Sequence, residues 1–211
     1  MHIWSSSHQQ QSYPNQSQSV PPRVHAQQPS DTPTTITFRF SGSKGSILSS
    51  VVTDPWGQSV FSATSTKKET IISNGARQVI ATVDWDHSKP KMYYHGISCR
   101  VKDFVPYDKK SQCRTINHSG QQFDWTEASK DTLLLISKSS PDYPLAVCRS
   151  HHGTVEIEIS QSALQSNLLE PILLSAFFMH SGKSLGDGPS EGLDPGVMGG
   201  IIGAQAGTFY G

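Results

Sequence analysis

Hydrophobic and polar residues alternate through most of the middle of the chain, and then the alternation gives way to a stretch that is apolar on every side. The clearest alternating runs are Thr35-Ile36-Thr37-Phe38-Arg39-Phe40, with Ile36, Phe38 and Phe40 on one face, and Val155-Glu156-Ile157-Glu158-Ile159. Further runs at 46–53, 59–65, 70–73, 78–85, 91–105, 113–117, 122–126, 133–137 and 145–149 also read as strands. Turn-forming groups separate them: Ser41-Gly42, Asp54-Pro55-Trp56-Gly57, Asn74-Gly75, His87-Ser88-Lys89-Pro90, Ser119-Gly120, residues 139–144 and His152-Gly153. Asn74-Gly75 is the strongest hairpin signal, and Gly96 inside the longest run predicts a bulge or sharp bend.

The exception is residues 168–180, LLEPILLSAFFMH, whose apolar side chains cover the whole circumference of a helix instead of one stripe. The spacing predicts a helix near 166–181, with Ser166 and Asn167 able to cap its start, Pro171 tolerable in its first turn and Gly182 ending it. A dozen residues rising about 1.5 Å each span roughly 18 Å, well short of the ~30 Å hydrocarbon core of a bilayer. The segment therefore belongs in a protein core and the chain is not expected to be transmembrane. A sheet must cover its apolar face and protect its edges. Both needs are met by a mainly β domain in which an antiparallel, closed β-barrel of about ten to twelve strands surrounds the C-terminal hydrophobic helix. An open sandwich with the helix on one face is the alternative.

Composition sets the boundaries of that domain. The chain has 211 residues, 35% of them hydrophobic, and a mean hydropathy of -0.40, enough for one domain at 34–186. Residues 1–33, rich in Gln, Ser and Pro, and the Gly-rich residues 187–211 read as disordered tails. Formal charge is zero and the domain itself is only mildly basic, which argues against nucleic acid as a partner. Three widely spaced cysteines, Cys99, Cys113 and Cys148, and an opening MHIWSSSHQQQ with no apolar signal core imply a reduced, intracellular setting, cytoplasmic or peripheral to a membrane.

No complete catalytic or cofactor motif is present. Ser181-Gly182-Lys183-Ser184 fails as a phosphate-binding loop because the first glycine it needs would fall at Phe177, and the letters are explained by a helix stop with Lys183 near the negative helix end. The histidines, including His87, His95, His118, His151, His152 and His180, show no metal-ligand spacing and read as surface residues. No metal or cofactor is implied. Asp84-Trp85-Asp86-His87 holds the ingredients of acid–base chemistry, but alternation sends Asp84 and Trp85 to opposite faces, and a strand end entering a turn explains the string.

Two lysine pairs, Lys67-Lys68 and Lys109-Lys110, with Lys89, Lys91, Arg100, Lys102 and Arg114 nearby in sequence, are the candidate contacts for an anionic lipid surface. Three functions follow as expectations. The first is a non-enzymatic intracellular barrel module, without catalytic residues, that docks to a protein partner or an anionic phospholipid surface through Lys67, Lys68, Lys109 and Lys110. The second is a small-ligand carrier or enzyme with a pocket near Asp84, Asp86 and His87. The third is a structural or regulatory protein acting through its tails.

The strings Val83-Asp84-Trp85-Asp86, Gln122-Phe123-Asp124-Trp125, Val155-Glu156-Ile157-Glu158-Ile159 and the apolar helix through Ser181-Gly182-Lys183-Ser184-Leu185-Gly186-Asp187 carry a resemblance. From Thr37 through Leu185 the chain resembles an uncharacterised fungal domain family, best known from basidiomycetes, whose function is unknown. More distantly, strands ending in a buried hydrophobic helix look like the superfamily of tubby C-terminal, phospholipid-scramblase and LURP-one-related domains. That resemblance implies a closed barrel around the last helix, and membrane or phosphoinositide binding in some members; none of their lipid- or calcium-binding motifs maps onto particular positions here.

Overall fold

The computed structural model describes residues 34–42, 46–86, 88–151 and 153–185, and the expectations for the two tails and for His87 and His152 fall outside them. The alternating runs become β1 (Thr35–Gly42), β2 (Ser50–Thr53), β3 (Ser59–Ser65), β4 (Glu69–Asn74), β5 (Val79–Asp84), β6 (Lys91–Tyr94) and β7 (Ile97–Arg100). A short helix α1 (Val101–Phe104) leads to β8 (Tyr107–Asp108), β9 (Cys113–His118), β10 (Gln121–Ser129), β11 (Thr132–Ser137), β12 (Ala146–His151) and β13 (Thr154–Ser160). Two helices close the described chain, α2 (Gln161–Gln165) and α3 (Leu169–His180).

All thirteen strands lie in one sheet in the order β7-β6-β5-β4-β3-β2-β1-β13-β12-β11-β10-β9-β8. Each adjacent pair is antiparallel; at the centre Ile36 stands opposite Ile159 and Phe38 opposite Ile157. Period-two burial follows from that register, because β13 buries Val155, Ile157 and Ile159 while Glu156 and Glu158 face outward toward Arg39 and Arg149.

The expected closed barrel is not what forms. The sheet is open: β7 ends one edge and β8 the other, and they do not pair. The reason lies in the residues between them. Val101–Phe104 coil into α1, with Val105 N–H bonded to Val101 O and Val101 N–H to Pro90 O, so the segment that would complete the ladder is helical. β8 is only two residues long and offers little edge to pair with. Nor is there the second sheet that a sandwich requires, since the described strands form a single one.

The open sheet is nevertheless strongly curled. Arg100 and Tyr107 sit on opposite edges, yet the chain joining them reaches at most about 25 Å, even fully extended at roughly 3.6 Å per residue. α1 occupies the gap, with Val101 and Val105 fully buried and Phe104 against Phe178 of α3.

α3 lies inside this curl, and every residue from Pro171 to Met179 is buried. Its partners come from both arms of the sheet: Phe177 meets Phe61 of β3, Phe178 meets Trp85 just past β5, and Ser175 meets Trp125 of β10. Burying an aromatic or aliphatic side chain contributes about 1.5–3 kcal/mol, so a helix apolar on all sides is stable only where partners surround it.

Local chemistry explains the remaining departures. The run 91–105 breaks at His95-Gly96, where both residues are left-handed (φ 46° and 79°), the signature of a two-residue hairpin rather than a bulge. The Asn74-Gly75 hairpin forms with a longer loop, its left-handed residue being Arg77; Gly75 is required because a Cβ there would sit 2.5 Å from Ser59 O. Ser166 and Asn167 do not cap α3, whose N-cap is Leu168 with no side-chain bond. They end the unforeseen α2 instead: Asn167, at φ 56°, sends its N–H to Leu164 O while Leu168 N–H reaches Ala163 O. That pair of bonds is a Schellman stop, with Asn in the left-handed place.

Candidate functional site

Antiparallel connections fall alternately at the two ends of α3. The end where the helix stops carries the β3–β4 turn, with Lys67 and Lys68, and the β8–β9 turn, with Lys109 and Lys110. There a concavity of about 410 Å³ is lined by Ser46, Ser49, Ser65, Thr66, Lys67 and Lys183.

Each lining residue is held by a local bond. Thr66 Oγ1 accepts the N–H groups of Lys68 (3.3 Å) and Glu69 (3.0 Å), which fixes the tight turn that presents Lys67. Ser46 Oγ accepts Leu48 N–H at the start of a 3-10 turn (Ile47–Ser49), and Ser49 Oγ accepts Ser65 N–H at 3.2 Å. Gly182, at φ 66°, turns the chain back after α3, so that Lys183 Nζ lies 5.8 Å from the centre of the Trp85 ring.

A directional chain of donors braces the floor. Trp85 Nε1–H donates to Thr70 Oγ1 at 2.8 Å, and Ser65 Oγ donates to Leu48 O. The 2.6 Å contact between the two hydroxyls must then run from Thr70 to Ser65. The hydroxyl protons of Ser46 and Ser49 and the ammonium groups of Lys67 and Lys183 have no hydrogen-bond acceptor among the described residues. Among the described residues no carboxylate lines the concavity. It is a set of donors waiting for an acceptor.

The four lysines named from sequence are thus treated unequally. Lys67 lines the concavity; Lys68, beside it, is bonded to Asp86 at 2.8 Å, and that hydrogen bond raises its pKa. Lys109 and Lys110 are exposed at the same end on a different turn, where Asp108 Oδ1 accepts Lys110 N–H. The hydrogen bond from Ser111 holds the Asp108 carboxyl below its ordinary range.

Asp84 and Asp86 line neither this concavity nor the larger cleft at the other end. Asp84 Oδ1 instead accepts Asp86 N–H at 2.9 Å as the strand enters its turn.

One histidine departs from the surface role expected of it. His180, at the last turn of α3, places Nε2 3.3 Å from Cys148 Sγ. Burial pushes the Cys148 thiol up to about 12 and the His180 imidazole down to about 4, so both are neutral near pH 7. An active thiolate–imidazolium pair needs the opposite shifts, and this pair is a structural contact. Among the described residues no group of three His, Cys, Asp or Glu converges as metal ligands, and no helix is long and apolar enough to cross a membrane.

Fold and site together define a β-rich domain: one curled antiparallel sheet, a buried C-terminal helix, and a donor-lined concavity where that helix ends. The chain belongs to DUF6593, a family of unknown function, whose model matches residues 30–183. No curated protein matches it. Among solved structures, an X-ray structure of a protein from Arabidopsis thaliana is similar over 68% of this chain and 91% of its own, at 12% identity and a TM-score of 0.39. So distant a likeness carries neither fold nor function across.

Sequence reasoning missed Lys183 and the hydroxyls of Ser46, Ser49 and Ser65 as site residues. Lys183 follows the helix stop in a way that local rules explain completely, and the serines are scattered among strand positions. Their convergence is tertiary, produced by β1–β2, β3–β4 and the helix end meeting around Trp85.

Proposed function

We propose that this domain is a non-enzymatic, intracellular docking module that binds phosphate-bearing headgroups of an anionic membrane through the end where α3 stops. The reading is carried by one observation: two ammonium groups and two hydroxyl protons with no hydrogen-bond acceptor among the described residues converge on a concavity that no carboxylate of those residues lines. A phosphate oxygen accepts from hydroxyl and ammonium donors alike. Lys109 and Lys110, on a separate turn of the same end, add general attraction to the surface. At about 1 kcal/mol for each basic residue near an anionic bilayer, Lys67, Lys183, Lys109 and Lys110 supply roughly 4 kcal/mol, near a thousandfold in partition. Free thiols at Cys99, Cys113 and Cys148 suit a reducing compartment. The distant resemblance to tubby C-terminal and scramblase domains, some of which act at membranes, points the same way.

The test is co-sedimentation of the full chain with phosphatidylcholine vesicles, alone or doped with phosphatidylserine or a phosphoinositide, at low and raised salt. Binding to doped vesicles that falls with salt, and that the Lys67→Glu/Lys183→Glu double variant loses, is the expected result. No binding at low salt, or binding indifferent to the double variant, overturns the reading.

A further inference from the structure

A second opening lies at the other end of α3, where the helix begins. It is a cleft of about 720 Å³ walled by apolar groups, among them Val60, Ile80, Leu164, Leu169 and Leu173. Small-molecule sites have this size and this make-up, mostly apolar walls with a few placed polar groups.

The polar groups here are Glu170 in the first turn of α3, Tyr94 and His95 at the β6–β7 turn, His118 at the end of β9, Asn74 at the end of β4 and Asn167 between α2 and α3. Asn74 is committed to its own turn, bonding Gln78 through both side-chain atoms. Glu170 Oε1 lies 2.5 Å from His95 Nε2, and Tyr94 lines the cleft beside them. Burial first, and then Glu170, holds the Tyr94 phenol well above its ordinary range, so it stays a donor. His95 is fixed in a left-handed turn, and its ring packs at a tilt of 52° against that of Tyr94, with centroids 4.5 Å apart. The carboxylate is thereby held on one side by His95, while neither Lys nor Arg lines the cleft among the described residues. His118 and Asn167 make no side-chain hydrogen bond among the described contacts and are further acceptors in the same cleft.

We propose that this cleft binds a small amphiphilic amine, its ammonium group on Glu170 and its apolar body along Leu169, Leu173 and Ile80. The charge balance selects the head. An ammonium ion meets a carboxylate whose one partner in the cleft is the His95 imidazole, with no Lys or Arg among the described lining residues, whereas a carboxylate head would be set against Glu170. The walls select the body, since an aliphatic or aromatic chain of modest length fills the volume and buries apolar surface at about 25 cal/mol per Å². This site is separate from the lysine end and does not depend on the docking proposed there.

The experiment is a titration of the ¹⁵N-labelled full chain, followed by amide NMR, with three probes that share one body: octylammonium, octanol and octanoate. Octylammonium is expected to shift the amides of His95, Glu170 and Leu173 saturably, with octanol weaker and octanoate weaker still. Glu170→Gln should weaken octylammonium by up to about fivefold, the loss expected when one partly exposed ion pair is removed, and leave octanol unchanged. Val60→Phe, which narrows the cleft without touching charge, should weaken octylammonium and octanol alike. Lys67→Glu/Lys183→Glu should change none of this. Octanoate binding as tightly as octylammonium, indifference to Glu170→Gln, or no saturable shift at the cleft would overturn the proposal.

Discussion

Trp125 on β10 donates its indole N–H to Ser175 Oγ, at 2.9 Å, in the middle of the buried face of α3. Both residues are almost fully buried, at 2% and 0% exposure, and Ser175 passes its own proton to Ile172 O at 3.0 Å. The bond is a polar pin in an otherwise apolar helix. It fixes the rotation of α3 about its axis, which the uniformly apolar side chains around it do not specify.

Ser175→Ala should therefore cost more than its small change in volume suggests. The indole N–H would be left buried without an acceptor, a loss of about 1–3 kcal/mol. Trp125→Phe removes the orphaned donor but opens space, so the double variant should be less destabilised than the sum of the two. Urea unfolding of the four proteins, read as a double-mutant cycle, checks this; strict additivity would show that the bond is not a unit of stability.

The strands were legible because period-two alternation is a local property: β3 forms over 59–65 as read from sequence, and β13 (Thr154–Ser160) contains the alternating run Val155 to Ile159. The buried helix was legible for the same reason. Whether the sheet closes was not, because it turns on four residues, Val101-Lys102-Asp103-Phe104, whose pattern is compatible with a strand and which coil only in context. Arg100 bonds Asp103 through both carboxylate oxygens, at 2.6 and 2.9 Å, a local contact that suits the coiled form. Of the candidate site, sequence supplied Lys67. The distant partners that give Lys67 a concavity, Ser46, Ser49 and Lys183, lie 18 or more residues from it, and no local pattern announces them.

The neutral Cys148–His180 contact gives stability a pH dependence. The imidazole is held near 4 in the folded protein by burial, against about 6.5 when unfolded. Its folded pKa is depressed, so the unfolded chain takes up the proton first as pH falls. Stability is full above about pH 6.5 and declines as pH falls toward 4. The full difference between the two pKa values corresponds to roughly 3 kcal/mol. Unfolding midpoints in urea between pH 7.5 and 4.5 should fall for the native chain and fall less for His180→Gln. An identical slope in the two would mean that carboxylates elsewhere set the acid limb.

The same contact predicts the reactivity of the cysteines. Cys148 is buried and its thiol is pushed up to about 12, so almost none is thiolate at pH 8. Cys99, half-buried, is raised by burial and then by Asp103. Under native conditions Cys148 should resist iodoacetamide on the timescale in which a free thiol reacts, Cys99 should react slowly, and denaturant should release both. Peptide mapping of the labelled protein distinguishes them; fast native labelling of Cys148 would mean that the end of α3 opens readily.

Asn167 occupies a backbone conformation that L side chains rarely adopt, at φ 56°, and it is the hinge between α2 and α3. A left-handed residue costs about 1–2 kcal/mol unless it is Gly, Asn or Asp, so Asn167→Ala should destabilise by roughly 1 kcal/mol while Asn167→Gly stays close to native. The two variants differ by a single methyl group and remove the same carboxamide. Comparing their thermal midpoints therefore separates backbone strain from side-chain bonding. A drop in both by the same amount would show that the carboxamide, and not the left-handed turn, holds α2 against the start of the buried helix.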